Sequence, residues 1–543
     1  MRFDEKLRKE PPEHLWQEYC GFLDLSLEQY MRMQKHLLME QIDLLSSSRL
    51  GKNLMGKTPP ESVDEFRERV PLTKFENYVD TLLMRREEEL PAKPVIWLET
   101  TWEGGDHPQK AAPYSRSMLN TYRDNLFAVL LLAHATKKGQ FRVQTNGRVL
   151  YTLAPLPYPS GLFPELMKGE VDFQFMPPVK EALSLPFSQQ MKLGFEMAVK
   201  KGMNQFFGMS SILFYISENL LSGSNDGGRN SRRSLKGFSL KMLYRLLAAQ
   251  YRSRRDDVPL LPRDLFDLDT FVCVGNDSTL YKNELEKYWG KKPLEIVGGT
   301  EPTLIGTETW SRDGFVLFPN ACFYEFIPER EMMKNLDDPS YIPRTYLMDE
   351  LSPNQLYEIV ITVFKGGSFV RYRVGDVFRC LRLKNIRDGI DFPQFEFVDR
   401  VPNVIDIGGF TRITQREILK VLELSRLQVE DWCAFKEYDD DKHAYLQLFL
   451  EMRQEDEGVF SDAEVVKEHL SVYFRYFDQD YNSLKRLIKV EPLRVNIVPT
   501  GSFRQFEQSF GRRLRKINPP SADVIDFRFL CGLEHRQGRN PWQ

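Results

Sequence analysis

The chain contains 543 residues, and 74 Lys and Arg against 77 Asp and Glu give a formal net charge of −3. This balance lacks the basic excess of a protein that tracks a phosphate backbone, so we expect no nucleic-acid partner. Hydrophobic residues make up 42% of the chain and aromatic residues 12%, which is typical of globular domains. The longest uninterrupted apolar run, Leu126 to Ala133, is far shorter than the roughly 20 residues that cross a bilayer, so we expect no membrane span.

The N-terminus and the cysteines predict a compartment. The charged start, Met1 to Lys6, is followed by no apolar signal-peptide core, so the sequence predicts a cytoplasmic location. The 6 cysteines are too widely spaced for CxxC metal or redox motifs, which predicts reduced, buried thiols.

The predicted elements begin with a helical layer. Residues 1–90 show three-four apolar spacing, as at Leu23, Leu27 and Tyr30, which is typical of amphipathic helices. From Val95 onward, short apolar runs alternate with helical patterns, which indicates an α/β fold with mostly parallel sheets. The predicted strands are 95–99, 148–153, 270–275 and 294–299, and the predicted helices are 116–136 and 278–289.

The second half of the chain has a different texture. Residues 222–237 are rich in Gly, Ser, Asn and Arg, and we interpret them as an exposed loop between two helices. Residues 314–400 are β-rich, which predicts an antiparallel or barrel-like subdomain. After Arg400 we predict a small α+β domain: a short β segment, helices 416–424 and 463–473, and strands 431–435, 444–451 and 490–498. The predicted division is therefore a large N-terminal domain, 1–400, with a helical layer 1–90 followed by the α/β and β-rich region 91–400, and a small C-terminal domain, 401–543.

The segment FVRYRVGD, Phe369 to Asp376, places a carboxylate directly after a strand-ending glycine. Such a carboxylate can accept hydrogen bonds from two vicinal hydroxyls, as in ribose binding. The alternative is a turn aspartate that pairs with Arg371 or Arg373.

Three further segments could contribute to a phosphate or domain-junction site. In IVGGTE, 296–301, Glu301 follows a predicted strand and two glycines, a suitable place for Mg²⁺ beside phosphates. In 99–115, paired Thr, paired Gly and Lys110 could surround phosphates, although the spacing is not that of a P-loop, and His107 is interpreted as an ordinary loop residue. In 399–417, Thr414 and Glu417 form a predicted capping box at a domain junction.

In this order and spacing, the segments resemble the Gretchen-Hagen family of auxin-responsive acyl acid amido synthetases, a branch of the adenylate-forming superfamily with acyl-CoA synthetases, peptide synthetase adenylation domains and luciferase. The resemblance runs from about Val95 to Lys516 and is strongest from Phe315 to Glu417. It implies an α/β fold, with a large adenylate-forming body that carries mostly parallel sheets and a β-rich subdomain, and a small, mobile α+β C-terminal domain that swings about Asn403.

The resemblance also implies a nucleotide and acyl site within residues 91–400, with ATP and Mg²⁺ as cofactors. Glu301 would be the metal-side carboxylate with a catalytic role, Lys516 would be the catalytic lysine, and Asp376 would bind ribose beside a wall formed by Tyr372 and Arg373. The implied nucleotide-binding residues are Thr100, Thr101, Lys110, Thr300, Glu301, Tyr372, Asp376 and Arg400. The segment 206–221 is similar to the family's helix beside the acyl pocket, and its aromatic stripe fits a core helix equally well.

Two departures from the family pattern stand out. The phosphate loop, close to SGTTxGxxK in the family, begins here with Leu98 and Glu99, and eight residues separate Thr101 from Lys110. Glu99 would repel a triphosphate. Near the C-terminus Lys516 has one residue too many before the proline, so that Arg512, Arg513 and Arg515 are alternative cations.

The resemblance implies an ATP-dependent ligase that activates a carboxylic acid as an acyl adenylate and transfers it to an amine, such as an amino acid. One alternative is transfer to coenzyme A. The other is a degenerate relative that keeps the fold without the activity.

Overall fold

A computed structural model describes residues 1–101, 109–144, 146–225, 237–275, 278–408, 411–453, 462–477, 481 and 492–533. These residues form two compact units. The first consists of Met1–Thr101 and Gln109–Phe397, and the second starts at Val398. Among the described helices, none combines the length and apolar character needed to cross a membrane. The thiols are free, and all except that of Cys531 are buried, as expected.

The N-terminal part of the first unit is a helical layer, as predicted. Its helices are α1 (Phe3–Lys9), α2 (Pro12–Cys20), α3 (Leu27–Ser47), α4 (Arg49–Met55), α5 (Val63–Arg69) and α6 (Val79–Leu82). Helix α3 begins with a capping box in which Ser26 and Gln29 satisfy each other's backbone N–H groups. The buried amide of Gln34 then donates to two backbone carbonyls, those of Pro319 at 2.6 Å and Cys322 at 2.7 Å. Helix α3 is thus anchored to the β-rich part of the unit.

The remainder of the first unit alternates strands and helices. Its first part contains β1 (Ile96–Thr101), β2 (Gln109–Tyr114), α7 (Arg116–His134), β3 (Ala135–Lys137), β4 (Gln140–Phe141), β5 (Arg148–Thr152), α8 (Leu162–Met167), β6 (Gln174–Met176), α9 (Val179–Ala182), α10 (Phe187–Lys201), β7 (Gln205–Met209), α11 (Ser210–Asn225), α12 (Leu240–Asp256), α13 (Pro262–Leu265), β8 (Thr270–Val274), α14 (Ser278–Trp289) and β9 (Leu294–Gly299). It continues with β10 (Thr303–Glu308), β11 (Phe315–Leu317), β12 (Cys322–Pro328), α15 (Glu329–Asp337), β13 (Leu356–Val363), β14 (Tyr372–Arg382) and β15 (Gln394–Arg400).

One sheet of 11 strands organises this unit, in the order β12-β13-β14-β15-β11-β10-β9-β8-β7-β5-β6. Strands β6, β5, β7, β8 and β9 are parallel, whereas β9 to β11 and β12 to β14 pair antiparallel. The predicted α/β class is confirmed. The β-rich region 314–400 is antiparallel, as expected, but it continues the same sheet.

The apolar run from Leu126 to Ala133 forms the buried half of α7, where each residue is at most 3% exposed. Helix α7 packs against β8, β9 and β10. It therefore covers the sheet where the parallel and antiparallel parts meet, and burial of its leucines contributes to the core.

Two local predictions need correction. The segment 206–221 is not one helix, because 206–209 belong to the buried strand β7 and α11 begins at Ser210. A fully apolar run reads the same for a buried strand and a buried helix, which explains the error. The predicted loop 222–237 is also helical at its start, since α11 extends to Asn225, and 226–236 lie outside the described residues.

The second unit is an α+β module. Beyond the end of β15 it contains β16 (Val404–Ile407), β17 (Thr411–Thr414), α16 (Gln415–Ser425), β18 (Val429–Tyr438), β19 (Ala444–Met452), α17 (Ala463–Phe477), β20 (Leu493–Val498), α18 (Ser502–Phe510) and α19 (Ser521–Leu530). β18 pairs antiparallel and β20 parallel with β19. The predicted capping box of Thr414 and Glu417 opens α16. The core of this unit is built on Phe435, Phe449, Phe506 and Phe527.

Candidate functional site

Glu301 occupies the turn between β9 and β10. Gly299 pairs with Thr303 across this hairpin, so Thr300, Glu301 and Pro302 form the turn. The Tyr114 hydroxyl donates a hydrogen bond of 2.6 Å to the Thr300 carbonyl oxygen, which fixes the turn against β2. Because β9 is the last strand of the parallel series, the turn lies at the carboxyl edge of that series, where α/β sheets bind ligands.

Lys110 reaches Glu301 from the β1–β2 hairpin. Thr100 pairs with Lys110 and Thr101 with Gln109. Directly paired residues share a face of the ribbon, so Thr100 and Lys110 lie on the same face. The Lys110 ammonium lies 3.1 Å from Glu301 Oε1. The tip of the hairpin, 102–108 with His107, lies outside the described residues, as does the side chain of Thr101.

Tyr372 connects these two charged groups. Its hydroxyl donates to Glu301 Oε1 at 2.7 Å and accepts from Lys110 Nζ at 3.1 Å. The ammonium also lies over the rings of Phe75 and Tyr372, at 5.6 and 5.8 Å from the ring centroids, in cation–π range. Three segments distant in sequence therefore converge on one carboxylate oxygen.

The electrostatics of this cluster keep Glu301 ionised. Burial raises the pKa of its carboxyl, but the Lys110 charge and the Tyr372 hydrogen bond outweigh burial and leave the pKa below its usual value. Glu301 is 7% exposed. A buried carboxylate beside one ammonium can hold a divalent cation if the ammonium turns to another anion, such as a phosphate.

Asp376 lies on the same strand as Tyr372, at a β-bulge. Val360 pairs with Arg373 and Glu358 with Val377, so three residues of β14 face a single residue of β13. Gly375, at φ +83°, takes the left-handed conformation that glycine favours. Bulges of this kind re-aim side chains and occur beside active sites.

The two arginines that were alternative partners of Asp376 bind other carboxylates. Arg371 forms a bidentate pair with buried Glu325 at 2.9 and 2.7 Å. Arg373, the other proposed wall residue, forms one with Glu358 at 2.8 and 2.6 Å. Both arginines thus have other carboxylate partners, and the ribose-binding role of Asp376 stays a prediction.

Arg371 also braces the start of β14, a role that sequence analysis missed. Its guanidinium donates to the carbonyl oxygens of Arg67 at 2.6 Å and Val70 at 2.5 Å. The backbone of Thr73 also bonds to the start of β14. Its carbonyl oxygen accepts from the Arg373 N–H at 2.9 Å, and its N–H donates to the Arg371 carbonyl oxygen at 2.9 Å. These contacts hold Tyr372 between the helical layer and the sheet. The alternation of Arg with apolar residues in this segment indicated that the arginines are partly buried and paired. The sequence does not show which carboxylate pairs with each arginine.

A second buried ion cluster braces the β9–β10 hairpin. Lys282 of α14 donates to Glu308 Oε1 at 2.5 Å and lies 3.6 Å from Glu295 Oε2. Glu308 Oε2 accepts from the backbone N–H of Glu295 at 2.9 Å. Burial lowers the pKa of Lys282, but the two carboxylates outweigh burial and raise it, so the ammonium stays charged.

Glu99 is less unfavourable for anion binding than its sequence position implied. Its carboxylate pairs with the Arg85 guanidinium. Glu99 also precedes Thr100 in β1 and pairs with Ala111, and successive strand residues point to opposite faces. Glu99 therefore lies on the face of the hairpin opposite to Thr100 and Lys110.

The remaining predicted residues belong to the second unit. Arg400 ends β15 directly after Asp399, whose carboxylate pairs with buried Lys436 at 2.9 Å, and Asn403 is exposed. Lys516 Nζ contacts the Asp431 carboxylate, and burial lowers the pKa of this ammonium. The alternative cations Arg512 and Arg513 pair with Asp523 and Glu507 respectively. Their catalytic and hinge roles stay predictions.

The aromatic residues of α11 form core. Phe214 and Tyr215 are 3% and 2% exposed. Phe214 stacks on Tyr281 of α14 with ring centroids 4.7 Å apart. These two residues support the structural interpretation of the stripe.

Comparison with solved structures identifies the class of fold. Over 96% of this chain and 97% of the other, the fold is similar to that of the acyl acid amido synthetase AtGH3.15, solved in complex with 2,4-DB, with a TM-score of 0.55 and 16% identity. A 2-hydroxyisobutyryl-CoA ligase, solved with 2-HIB-AMP and CoA, aligns over 87% of this chain and 85% of its own, with a TM-score of 0.50 and 14% identity. The chain thus has the α/β fold of adenylate-forming enzymes.

Sequence comparison finds a family model and relatives that match parts of this chain. Residues 315–400 match the model of the GH3 family central domain. A putative indole-3-acetic acid-amido synthetase, GH3.9 of Arabidopsis thaliana, is 30% identical over 129 residues, 23% of this chain and 21% of the relative. A probable one, GH3.11 of Oryza sativa subsp. japonica, is 24% identical over 202 residues, 35% of this chain and 32% of the relative. Residues 315–400 are therefore similar to the GH3 central domain, which confirms the resemblance found in the sequence, and the chain matches a fifth to a third of the length of these relatives.

Proposed function

We propose that this protein is an ATP-dependent ligase that activates a carboxylic acid as an acyl adenylate and transfers the acyl group to an amine. The observation that carries the proposal is the convergence of Lys110, Glu301 and Tyr372 at the carboxyl edge of the sheet. The matched family model, 315–400, includes Tyr372 and Asp376. The relatives' names supply the class of reaction.

The residues at this site fit Mg²⁺ and a triphosphate. Mg²⁺ in nucleotide sites is commonly held by one or two carboxylates together with phosphate oxygens and water. Glu301 would supply the carboxylate, and the ion, when bound, would neutralise charge on the phosphates. Lys110 would then pair with phosphate oxygens in place of Glu301, while Thr100 on the same face and the Thr300 turn would line the phosphate path.

Asp376 would hold the ribose end of the nucleotide. It lies four residues beyond Tyr372 on the same strand, so the strand separates the two by roughly 13 Å or less. A charge-assisted bond from a ribose hydroxyl to a carboxylate contributes about 1.5–3 kcal/mol. The bulge at Gly375 gives Asp376 an orientation that regular strand pairing would not.

The chemistry is two substitutions at one site. A carboxylate oxygen of the acid attacks the α-phosphorus, a new P–O bond forms, and the bond to the β-phosphate breaks and releases pyrophosphate. The amine nitrogen then attacks the acyl carbon, a C–N bond forms, AMP leaves, and the amine proton passes to solvent. The protein supplies positioning and charge stabilisation, with Lys110 near the phosphates and Lys516 as the proposed second cation. Arg400 and the hinge at Asn403 belong to the same proposal.

A specific observation weakens the degenerate alternative. That alternative rested partly on Glu99, which pairs with Arg85 and lies on the other face of the hairpin. The coenzyme A alternative shares the first half-reaction and differs only in the acceptor. We keep a carboxylic acid and an amine as the proposed substrates. The cytoplasm is the proposed compartment.

Pyrophosphate–ATP exchange across a panel of carboxylic acids tests the first half-reaction. We expect acid-dependent exchange in the wild type, a large loss in Lys110→Met, and normal exchange in the matched control Lys35→Met, since Lys35 is an exposed residue of α3. If none of the acids in the panel supported exchange, or if the two variants exchanged equally, the result would count against the proposal. Product analysis with amino acids and with coenzyme A then identifies the acceptor.

A further inference from the structure

The outermost face of α12 carries a line of exposed apolar side chains. Their exposures are 87% for Leu240, 74% for Tyr244, 57% for Leu247 and 67% for Tyr251. The spacing of four, three and four residues keeps them within about 60° of the helix circumference. We call these four residues the α12 stripe.

The stripe faces directly away from the protein. Met242 and Ala249, which are 3% and 2% exposed, lie on the opposite side of the helix. With these residues inward, α12 packs against α10 and α13. The stripe is therefore a ridge on the surface of the first unit.

Basic residues flank the ridge. Helix α12 carries Lys241, Arg245, Arg252, Arg254 and Arg255 against a single acidic residue, Asp256. Helical geometry places Arg254 on one side of the stripe and Arg255 on the other. Arg255 pairs with Asp256 at 2.7 Å, and the other four basic residues leave this helix cationic in a chain whose net charge is −3, so an anionic partner complements it.

The groove beside the stripe has a mixed charge. Tyr244 and Tyr251 line one wall of a cavity of about 670 Å³, whose other residues include Arg263, Asp264 and Asp267. Leu240 and Leu247 do not line this groove. The two leucines therefore project from a convex edge, while the two tyrosines border the groove, and a convex edge fits a flat, deformable surface.

We propose that the α12 stripe is a peripheral docking surface for an anionic lipid membrane. Leucines would enter the boundary between headgroups and acyl chains, tyrosines would lie at the headgroup level, and the flanking arginines and lysine would bind acidic headgroups. A second copy of the chain is a poorer occupant, because pairing two α12 helices would bring cationic surfaces together. The inference is independent of the proposed ligase activity.

Vesicle co-sedimentation tests the proposal. We expect the wild type to bind vesicles in which about a third of the lipid is phosphatidylserine, to bind less as salt rises, and to ignore phosphatidylcholine vesicles. Leu240→Gln/Leu247→Gln should reduce binding about tenfold or more, and Arg254→Gln/Arg255→Gln should reduce it and weaken its salt dependence. Glutamine is a good helix former, so both variants should keep their melting temperature.

A matched control uses another helix with exposed apolar residues. Val465 and Val472 of α17 are 53% and 57% exposed, and Val465→Gln/Val472→Gln should bind vesicles like the wild type. Absence of wild-type binding at low salt would overturn the proposal, as would binding that both double-glutamine variants of α12 retain. Sedimentation velocity that shows self-association through the stripe, without vesicle binding, would overturn it in favour of a second copy.

Discussion

Tyr372 joins the two charged side chains of the candidate site through one hydroxyl. Tyr372→Phe removes this hydroxyl and keeps the ring packed on Tyr78 and Phe369. Lys110 and Glu301 then lose their shared hydrogen-bond partner. We expect the free energy of unfolding to fall by about 1–3 kcal/mol and pyrophosphate exchange to fall by tenfold or more. Tyr30→Phe is the matched control, because buried Tyr30 donates to the Leu317 carbonyl, at 3.2 Å, away from the candidate site. If both variants lost stability and kept exchange, Tyr372 would be purely structural.

The pH dependence of stability has an identifiable source in His134. Burial lowers the pKa of its imidazole to about 4, although Nδ1 lies 2.8 Å from the Leu130 carbonyl oxygen. The unfolded state keeps a pKa of about 6.5, so between these values the unfolded chain binds the proton and the folded chain does not. The contribution of neutral His134 to the free energy of unfolding is therefore fully present above about pH 6.5 and is lost as pH falls toward 4.

This linkage predicts a difference between wild type and His134→Gln. From pH 7.5 to 5.5 the wild type should lose about 1 kcal/mol more free energy of unfolding than the variant, as measured by urea denaturation. Parallel losses in the two proteins would show that His134 is protonated in the fold or that another group governs this range.

At the scale of elements, the β1–β2 hairpin separates its charges by strand alternation. Glu99 lies on the face opposite to Thr100 and Lys110, and it pairs with Arg85. We therefore expect Glu99→Gln to change the affinity for Mg-ATP by less than about twofold, since a neutralised carboxylate on the far face exerts little force on the triphosphate. A marked gain in affinity, measured by calorimetry, would mean that Glu99 does oppose the nucleotide.

The conformation of Gly375 in the β14 bulge is expected to orient Asp376. Gly375→Ala places a Cβ at φ +83°, which costs about 1–2 kcal/mol or distorts the bulge and with it Asp376. We expect weaker nucleotide binding together with lower stability. Gly389→Ala, at φ +67° in another loop, is the control and should lose stability alone. Equal nucleotide affinity in both variants would mean that the bulge does not orient a binding residue.

For the molecule as a whole, local patterns predicted much of the secondary structure but not the pairing of distant strands. Strands such as β8 and β9 and helix α14 lie where the sequence pattern predicted them. The joining of both β regions into one sheet depends on contacts between residues far apart in sequence, which no local period encodes. The outward α12 stripe shows the same limit, because its spacing would ordinarily predict a buried face.

The candidate site shows a similar division. Sequence motifs marked Glu301, Lys110 and Tyr372 separately, but the ion pairs of Arg371 with Glu325 and of Lys282 with Glu308 emerged only in three dimensions. A charged residue within an apolar run indicates that a partner exists, since buried charges are paired. It does not identify the partner, because the fold alone decides which carboxylate comes near.

If Lys110, Glu301 and Tyr372 form the Mg-ATP site, the affinity for Mg-ATP depends on their side chains, and titration calorimetry measures that dependence. We predict saturable binding by the wild type that requires Mg²⁺, weakens about tenfold or more in Lys110→Met and Glu301→Gln, and is unchanged in Lys35→Met. Absence of binding at millimolar nucleotide, or equal binding by all four proteins, would show that these residues do not form an Mg-ATP site.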